Sequence, residues 1–174
     1  AIEGILKDVV GIGNAMVDVV IPGDEAFLAE QNLLKGGMIL IDQERAIRMH
    51  RTMDITMEIS GGSVGNTMAG IASLGGTGSY IGKVSDDDMG VLFNDSLESL
   101  GIAFAGPSTT AVAPTARCLV IVTPDGQRSM ATYLGACVEL DPEDVDQATI
   151  QSHQVTYIEG YLWDAPLAKQ VMEK

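Results

Sequence analysis

Short β-branched runs alternate with helical patterns along most of the chain, and this alternation restricts the possible folds more than any other feature. The strand-like runs cover residues 9–13, 38–41, 79–84 and 155–158. Helical patterns cover residues 24–33, 67–74 and 86–100, and further ones follow Asp42, open at Asp141-Pro142 and begin at Ala165. A helix between two strands is the usual crossover of a parallel sheet. The sequence therefore predicts an α/β fold with a mostly parallel sheet flanked by helices.

Four further strand-like segments do not fit this alternation. Residues 17–21 continue directly from the first strand, and residues 55–59 alternate apolar and polar side chains. Residues 117–123 and 128–133 form a predicted hairpin around Asp125 and Gly126, because Asp-Gly between two strands is a strong turn signal. These segments predict a small β-sheet lid built from discontinuous parts of the chain, near residues 15–22, 36–60 and 108–133.

Composition limits the partners. The 174 residues suffice for one domain, and their net charge of −14 disfavours a nucleic acid partner, whose phosphates require Lys and Arg. No run of about 18 apolar residues is present, so we expect no membrane span. Residues 1–7 lack a signal-peptide pattern, which makes the cytoplasm the expected compartment. Cys118 and Cys137 are expected to be reduced, buried thiols rather than a disulfide or zinc ligands.

Two glycine-rich stretches resemble phosphate-binding motifs but lack residues that those motifs require. Residues 11–16 begin like a dinucleotide fingerprint, but Met16 replaces the third glycine and a β-branched run follows instead of a helix. Residues 78–83 resemble a P-loop, but Val84 stands where a Ser or Thr should bind magnesium, and the stretch reads as a strand. Neither stretch is therefore a predicted nucleotide site.

The third stretch, from Gly61 to Asn66, is the strongest candidate for a ligand contact. Consecutive glycines allow close approach of a ligand to the backbone, and the N–H groups at the start of the following helix are free to bind. Asn66 offers both a donor and an acceptor, as neighbouring sugar hydroxyls require. A tight strand-to-helix turn with an inert asparagine explains this stretch equally well by itself.

Three separated segments, in order, resemble the PfkB (ribokinase-like) carbohydrate kinase family. The first covers residues 10–18, the second runs from Gly61-Gly62 through Asn66 and Gly75 to residues 82–90 (GKVSDDDMG), and the third covers residues 115–130. Ser63 makes the chain more similar to adenosine-kinase-like members than to ribokinase itself. The resemblance implies a ribokinase-like fold and ATP- and Mg²⁺-dependent phosphorylation of a hydroxymethyl group on a sugar or ribonucleoside.

The resemblance also assigns roles to individual residues. Asp18 would accept hydrogen bonds from two sugar hydroxyls, with Asn14, Gly61, Gly62 and Asn66 completing the substrate site, and Arg128 would lie on the lid near the transferred phosphate. Alternatives for two of them are a solvent-facing acid at Asp18 and an ordinary surface arginine at Arg128. Residues 86–88 are all aspartates, but acids are favoured in the first turn of a helix, so no metal ligand is expected here.

Motifs that complete this family's catalytic site are not found in the sequence. The Gly-Ala-Gly-Asp-type motif, which carries the general base, and the Asn-x-x-Glu motif are both missing. We therefore expect the chain to be the N-terminal, substrate-binding part of the fold, inactive alone, with ATP and Mg²⁺ bound mainly elsewhere. The alternative is a non-catalytic sugar- or nucleoside-binding module. Free edges of the lid strands can pair between subunits, so a homodimer through the lid is a further expectation.

Overall fold

A computed structural model describes residues 6–106, 111–164 and 166–173 of the chain. The strands are β1 (Lys7–Ile12), β2 (Met16–Pro22), β3 (Met38–Leu40), β4 (Met57–Gly61), β5 (Gly78–Ile81), β6 (Ile102–Phe104), β7 (Ala116–Val122), β8 (Arg128–Tyr133) and β9 (His153–Ile158). The α-helices are α1 (Glu25–Glu30), α2 (Gln43–Thr52), α3 (Ser63–Ser73), α4 (Asp88–Ser99), α5 (Gln147–Gln151) and α6 (Pro166–Glu173). Single 3₁₀ turns occupy Gly135–Glu139, Pro142–Asp144 and Gly160–Asp164.

The body of the fold is a parallel sheet in the order β6-β5-β1-β9, with helices on both faces. Helix α3 packs so closely on β1 that a Cβ atom at Gly11 would lie 2.5 Å from Val64 Cγ1. Leu140, Leu162 and Val171 pack with β1 residues in a second apolar cluster. The prediction of an α/β fold with a parallel sheet flanked by helices is confirmed, and Gly11 serves helix packing rather than pyrophosphate binding.

A second sheet has the order β3-β8-β7-β2-β4 and mixes parallel with antiparallel pairs. One face is buried, where Val17, Val19 and Ile21 of β2 join the main core. The opposite face, here called the open face, carries Asp18 and Val20. Four large apolar side chains on the two edge strands are exposed on this face: Met38, Leu40, Met57 and Ile59. The third predicted lid segment includes residues 108–110, which lie outside the described residues.

Local signals placed most element boundaries correctly. Asp24, Asp42 and Asp87 are the N-caps of α1, α2 and α4, each accepting a hydrogen bond from a backbone N–H of the first turn. The predicted hairpin is β7 and β8. The helix predicted from Ala165 is observed from Pro166, and residue 165 itself lies outside the described residues.

Three details of the sequence interpretation were wrong. Helix α3 begins at Ser63, four residues before the predicted start, because Gly62 with φ of 80° already forms its N-cap. The helix predicted after Asp141 is a single 3₁₀ turn, Pro142–Asp144, because the next residue, Val145, already has an extended backbone with ψ of 108°. Strand β6 was not predicted at all, because three residues are too few to show a periodicity.

Strand β9 forms one edge of the body sheet, and the other edge is β6. Beyond its first residue, the side chains of β9 are exposed on both faces, including Val155, Tyr157 and Ile158. A parallel strand is normally covered on both faces, so this edge is the least covered part of the body. Within the part of the chain that the structure describes, no helix is long and apolar enough to cross a membrane.

Candidate functional site

The candidate site lies where the chain passes from the body sheet to the second sheet. Only residues 13–15 separate the end of β1 from the start of β2. Asn14, in the middle of this connection, is 6 % exposed. Its Nδ2 donates a hydrogen bond of 2.7 Å to Oε1 of Glu159, the residue that follows β9. Asn14 is therefore fixed at the carboxyl ends of two parallel strands, where ligands of open α/β sheets bind.

Asp18 projects from β2 onto the open face of the second sheet. In the strand register it lies between Ile59 of β4 and Cys118 of β7. Burial raises the pKa of the Asp18 carboxyl, while the charge of Arg128 acts in the opposite direction. The carboxyl group is partly buried and makes no hydrogen bond with another described residue. It is therefore a desolvated acceptor that hydroxyl groups of a ligand could satisfy.

The glycine pair Gly61-Gly62 is packed against both of these polar residues. A Cβ atom at Gly61 would collide with the carboxyl group of Asp18, and one at Gly62 would lie 2.7 Å from the carbonyl oxygen of Asn14. Gly62 also has φ of 80°, a conformation that favours glycine. The structure thus brings together Asn14, Asp18, Gly61 and Gly62. It also explains sterically why each of the two glycine positions lacks a side chain.

Asn66 and Arg128 are the two exposed residues of the predicted set. Asn66 is exposed on the first turn of α3, and its backbone N–H donates to the carbonyl oxygen of Gly62 at 3.0 Å. Arg128 opens β8 on the open face, two strands away from β2, and its side chain is exposed. Its charge nevertheless influences the pKa values of both Asp18 and Cys118. The guanidinium group is therefore within electrostatic reach of the Asp18 carboxylate.

Glu159 is the residue of this site that sequence reasoning missed. It is 3 % exposed, and burial raises its pKa, although hydrogen bonds from Asn14 and Val64 oppose the shift. Tyr80 is also fully buried nearby, and the pKa of its hydroxyl is raised well above the usual value, first by burial and then by the charge of Glu159. An acid immediately after a parallel strand was the signal available in the sequence, because ligand sites form at the carboxyl ends of such strands.

The residue types of the site suit a ligand that is partly polar and partly apolar. Asp18 and Asn14 supply hydrogen-bonding groups, while Met38, Leu40, Met57 and Ile59 line the edges of the open face with exposed apolar surface. Sugars and nucleosides combine hydroxyl groups with apolar ring faces in this way. Binding of such a molecule would cover apolar side chains and satisfy buried polar atoms together.

Two charged residues in or near the P-loop-like stretch are paired within the fold. Lys83, at the end of the P-loop-like stretch, is buried and forms an ion pair of 2.9 Å with Asp144. Asp87 uses both carboxylate oxygens on backbone N–H groups, those of Gly90 and Thr115. Within the described ranges, no three His, Cys, Asp or Glu side chains come together as a metal-binding group. Lys83 and Asp87 are therefore both engaged in contacts within the fold.

Comparison with protein families gives one match over most of the chain. Residues 39–174 match the model described as pfkB family carbohydrate kinase. Among curated proteins, the chain is similar to an ATP-dependent ribose-1-phosphate kinase from Halopiger xanaduensis. The two are 32% identical over 111 residues, which is 64% of this chain and 36% of that protein.

Solved structures give the same result at higher identity. An adenosine kinase from Sinorhizobium meliloti is 49% identical, with a TM-score of 0.87 over 95% of this chain and 51% of that one. A probable sugar kinase from Rhizobium etli is 44% identical, with a TM-score of 0.88 over 97% of this chain and 51% of that one. The chain thus spans about half the length of these solved relatives.

Proposed function

Because the chain belongs to the pfkB family of carbohydrate kinases, we propose that it forms the acceptor-binding part of an ATP-dependent sugar or nucleoside kinase. The observation that carries this proposal is the Asp18 carboxyl group, which is desolvated, packed against Gly61 and unpaired by any described residue. The enzyme would transfer a phosphoryl group to a hydroxymethyl group of the acceptor. In this reading the second sheet acts as a lid over the bound molecule.

The residues of this chain would bind and orient the acceptor. Asp18 would accept hydrogen bonds from two neighbouring hydroxyl groups, which hold a furanose ring in one orientation. The backbone at Gly61-Gly62 would approach the ring closely, since any side chain there would displace Asp18 or strike Asn14. Arg128 would add positive charge at the lid, where a phosphoryl group carries negative charge. Positioning of this kind supplies much of the catalysis of phosphoryl transfer.

We propose that ATP and Mg²⁺ bind mainly outside the acceptor-binding residues. Magnesium would neutralise charge on the phosphate groups, and the described residues offer no carboxylate cluster to hold it. We also propose the cytoplasm as the compartment, since Cys118 and Cys137 are both buried, free thiols.

The test combines acceptor binding with phosphoryl transfer in the protein that carries this chain. Adenosine and fructose serve as acceptors because adenosine kinases and fructokinases are among the relatives, and ribose is included as the sugar part of adenosine. We expect one of them to bind and to be phosphorylated from ATP, and Asp18→Ala to abolish both. Asp86→Ala, which removes an exposed acid from the start of α4, is the matched control and should change neither.

Two outcomes would change the conclusion. Binding of an acceptor without phosphoryl transfer would identify a non-catalytic sugar- or nucleoside-binding module, the second candidate function. Normal binding by Asp18→Ala would remove Asp18 from the site. A homodimer through the lid is a separate proposal, supported by the exposed apolar residues on edge strands β3 and β4, and the molar mass in solution tests it.

A further inference from the structure

Glu159 is a buried acid with an unusual set of partners. It follows β9 directly, and its backbone N–H donates to the carbonyl oxygen of Ile12 at 3.0 Å, which fixes it beside the end of β1. The absence of a side chain at Gly13 makes room for it, because a Cβ atom there would lie 2.7 Å from Glu159 Oε2. The fold therefore accommodates a carboxylate at a place where desolvation disfavours charge.

Three N–H groups converge on the carboxylate of Glu159. The side-chain Nδ2 of Asn14 donates to Oε1 at 2.7 Å, and the backbone N–H of the same residue donates to Oε1 at 3.4 Å. The backbone N–H of Val64, in the first turn of α3, donates to Oε2 at 3.4 Å. The shortest of these bonds is to a side chain, so the strongest interaction of Glu159 is with the Asn14 amide rather than with the backbone.

The contact with Glu159 determines which atom of the Asn14 amide remains available for another hydrogen bond. An ionised carboxylate can only accept hydrogen bonds, so the amide must turn its Nδ2 toward Glu159. The other end, Oδ1, is buried and has no hydrogen-bond partner among the described residues. A buried acceptor without a partner is costly and uncommon in native structures. A ligand that supplies a donor would remove this cost.

We propose that Glu159 is a positioning residue that holds the Asn14 amide with Oδ1 free to accept a hydrogen bond from a hydroxyl or amino group of the bound acceptor. This inference rests on the proposed function in one respect, since it takes Asn14 as part of the acceptor site. It narrows the ligand chemistry, because an analogue with an ether or keto oxygen at this point cannot donate and should bind more weakly.

The positioning itself can be tested without any ligand. In ¹⁵N-labelled protein, the side-chain NH₂ signals of Asn14 are assigned by their loss in Asn14→Asp. We expect Glu159→Gln to shift these signals and to accelerate their exchange with solvent by about tenfold, because a charge-assisted hydrogen bond is replaced by a weaker neutral one. Glu98→Gln, an exposed change on α4, should leave them unchanged. Unaltered Asn14 signals in Glu159→Gln would overturn the proposal.

The consequence for the ligand is tested by a double-mutant cycle with adenosine, or with whichever of ribose and fructose the wild-type protein binds. Glu159→Gln alone should raise Kd about tenfold. In an Asn14→Ala background the same change should alter Kd by less than about twofold, because the residue through which Glu159 acts is missing. Glu159→Asp, which retains the charge, should recover part of the affinity. Equal losses of affinity in both backgrounds would show that Glu159 has only a structural role in the fold, and would overturn the proposal.

The two experiments separate this inference from the proposed function. Wild-type protein that binds none of the three probes would contradict the proposed function. The Asn14 signals would then still test whether Glu159 positions the amide, because that measurement needs no ligand. Wild-type binding that is lost in Asp18→Ala but unaffected by Glu159→Gln would support the proposed function and refute the role of Glu159.

Discussion

Replacing Gly61 by alanine is the most direct test of how the acceptor site is built. Gly61 ends β4 opposite Met16, and its φ is not positive, so alanine fits its backbone conformation. The added methyl group would collide with the Asp18 carboxyl group, whose Oδ2 would be 2.7 Å away. That carboxyl is the free end of a side chain on the open face, so it can rotate away while the backbone stays in place.

The expected effect is therefore large on binding and small on stability. Hydrogen bonds to a charged group contribute about 1.5–3 kcal/mol each, so losing the two proposed for Asp18 should weaken acceptor binding by at least about 100-fold. Stability should change by less than about 1 kcal/mol, which is a shift in Tm of no more than about 4 °C for a domain of this size. Titration calorimetry with the bound acceptor and thermal unfolding by circular dichroism measure the two quantities.

Two neighbouring glycines provide matched controls. Gly62→Ala should destabilise the fold by about 1–2 kcal/mol or more, because φ is 80° and the methyl group would lie 2.7 Å from the carbonyl oxygen of Asn14. Gly65→Ala lies within α3 with nothing within 4 Å of its Cβ position, so it should stabilise the fold by up to about 1 kcal/mol without affecting binding. Wild-type affinity in Gly61→Ala, or a loss of stability like that of Gly62→Ala, would refute the reasoning.

Three further predictions concern charge. Burial raises the pKa of Asp18, so the ionised carboxylate destabilises the folded state above that pKa. Asp18→Asn should therefore raise Tm at pH 7. This gain should vanish as the pH falls to about 4, where the carboxyl is protonated in the folded state. Lys83→Met should cost about 3 kcal/mol in urea unfolding, because it removes one partner of the buried Lys83–Asp144 ion pair. Hydrogen bonds from Lys35 and Thr123 lower the pKa of Asp125 to about 2, so Asp125→Asn should lower Tm at pH 7, and this loss should shrink as the pH falls through about 2.

Local sequence signals were sufficient for most of the architecture. Capping aspartates and the Asp-Gly turn act over three or four residues, and the observed elements follow them closely. The glycine pair Gly61-Gly62 could be identified from sequence because two consecutive glycines indicate a position where side chains do not fit. What the pair avoids, the Asp18 carboxyl and the Asn14 carbonyl oxygen, comes from residues more than forty positions earlier and appears only in the fold.

The role of Glu159 could not be predicted for the same reason. Its partner Asn14 is 145 residues away, and the contact depends on β1 and β9 being neighbours in the sheet. Sequence alone does not specify this pairing, since four strands of a parallel sheet can be ordered in many ways. An acid after a strand is also common, so the position indicates a site only once the buried location and the three N–H partners are known.

The short connection between β1 and β2 explains why the two polar residues of the site are held in different ways. Asn14 is fixed to the body by Glu159, whereas Asp18 is held within the second sheet by the pairing of β2 with β4 and β7. Only three residues separate the strands, so Asn14, in the connection itself, is four residues from Asp18 in β2. A molecule that binds both would therefore join the body to the lid, and its binding energy would favour the arrangement in which the two sheets enclose it.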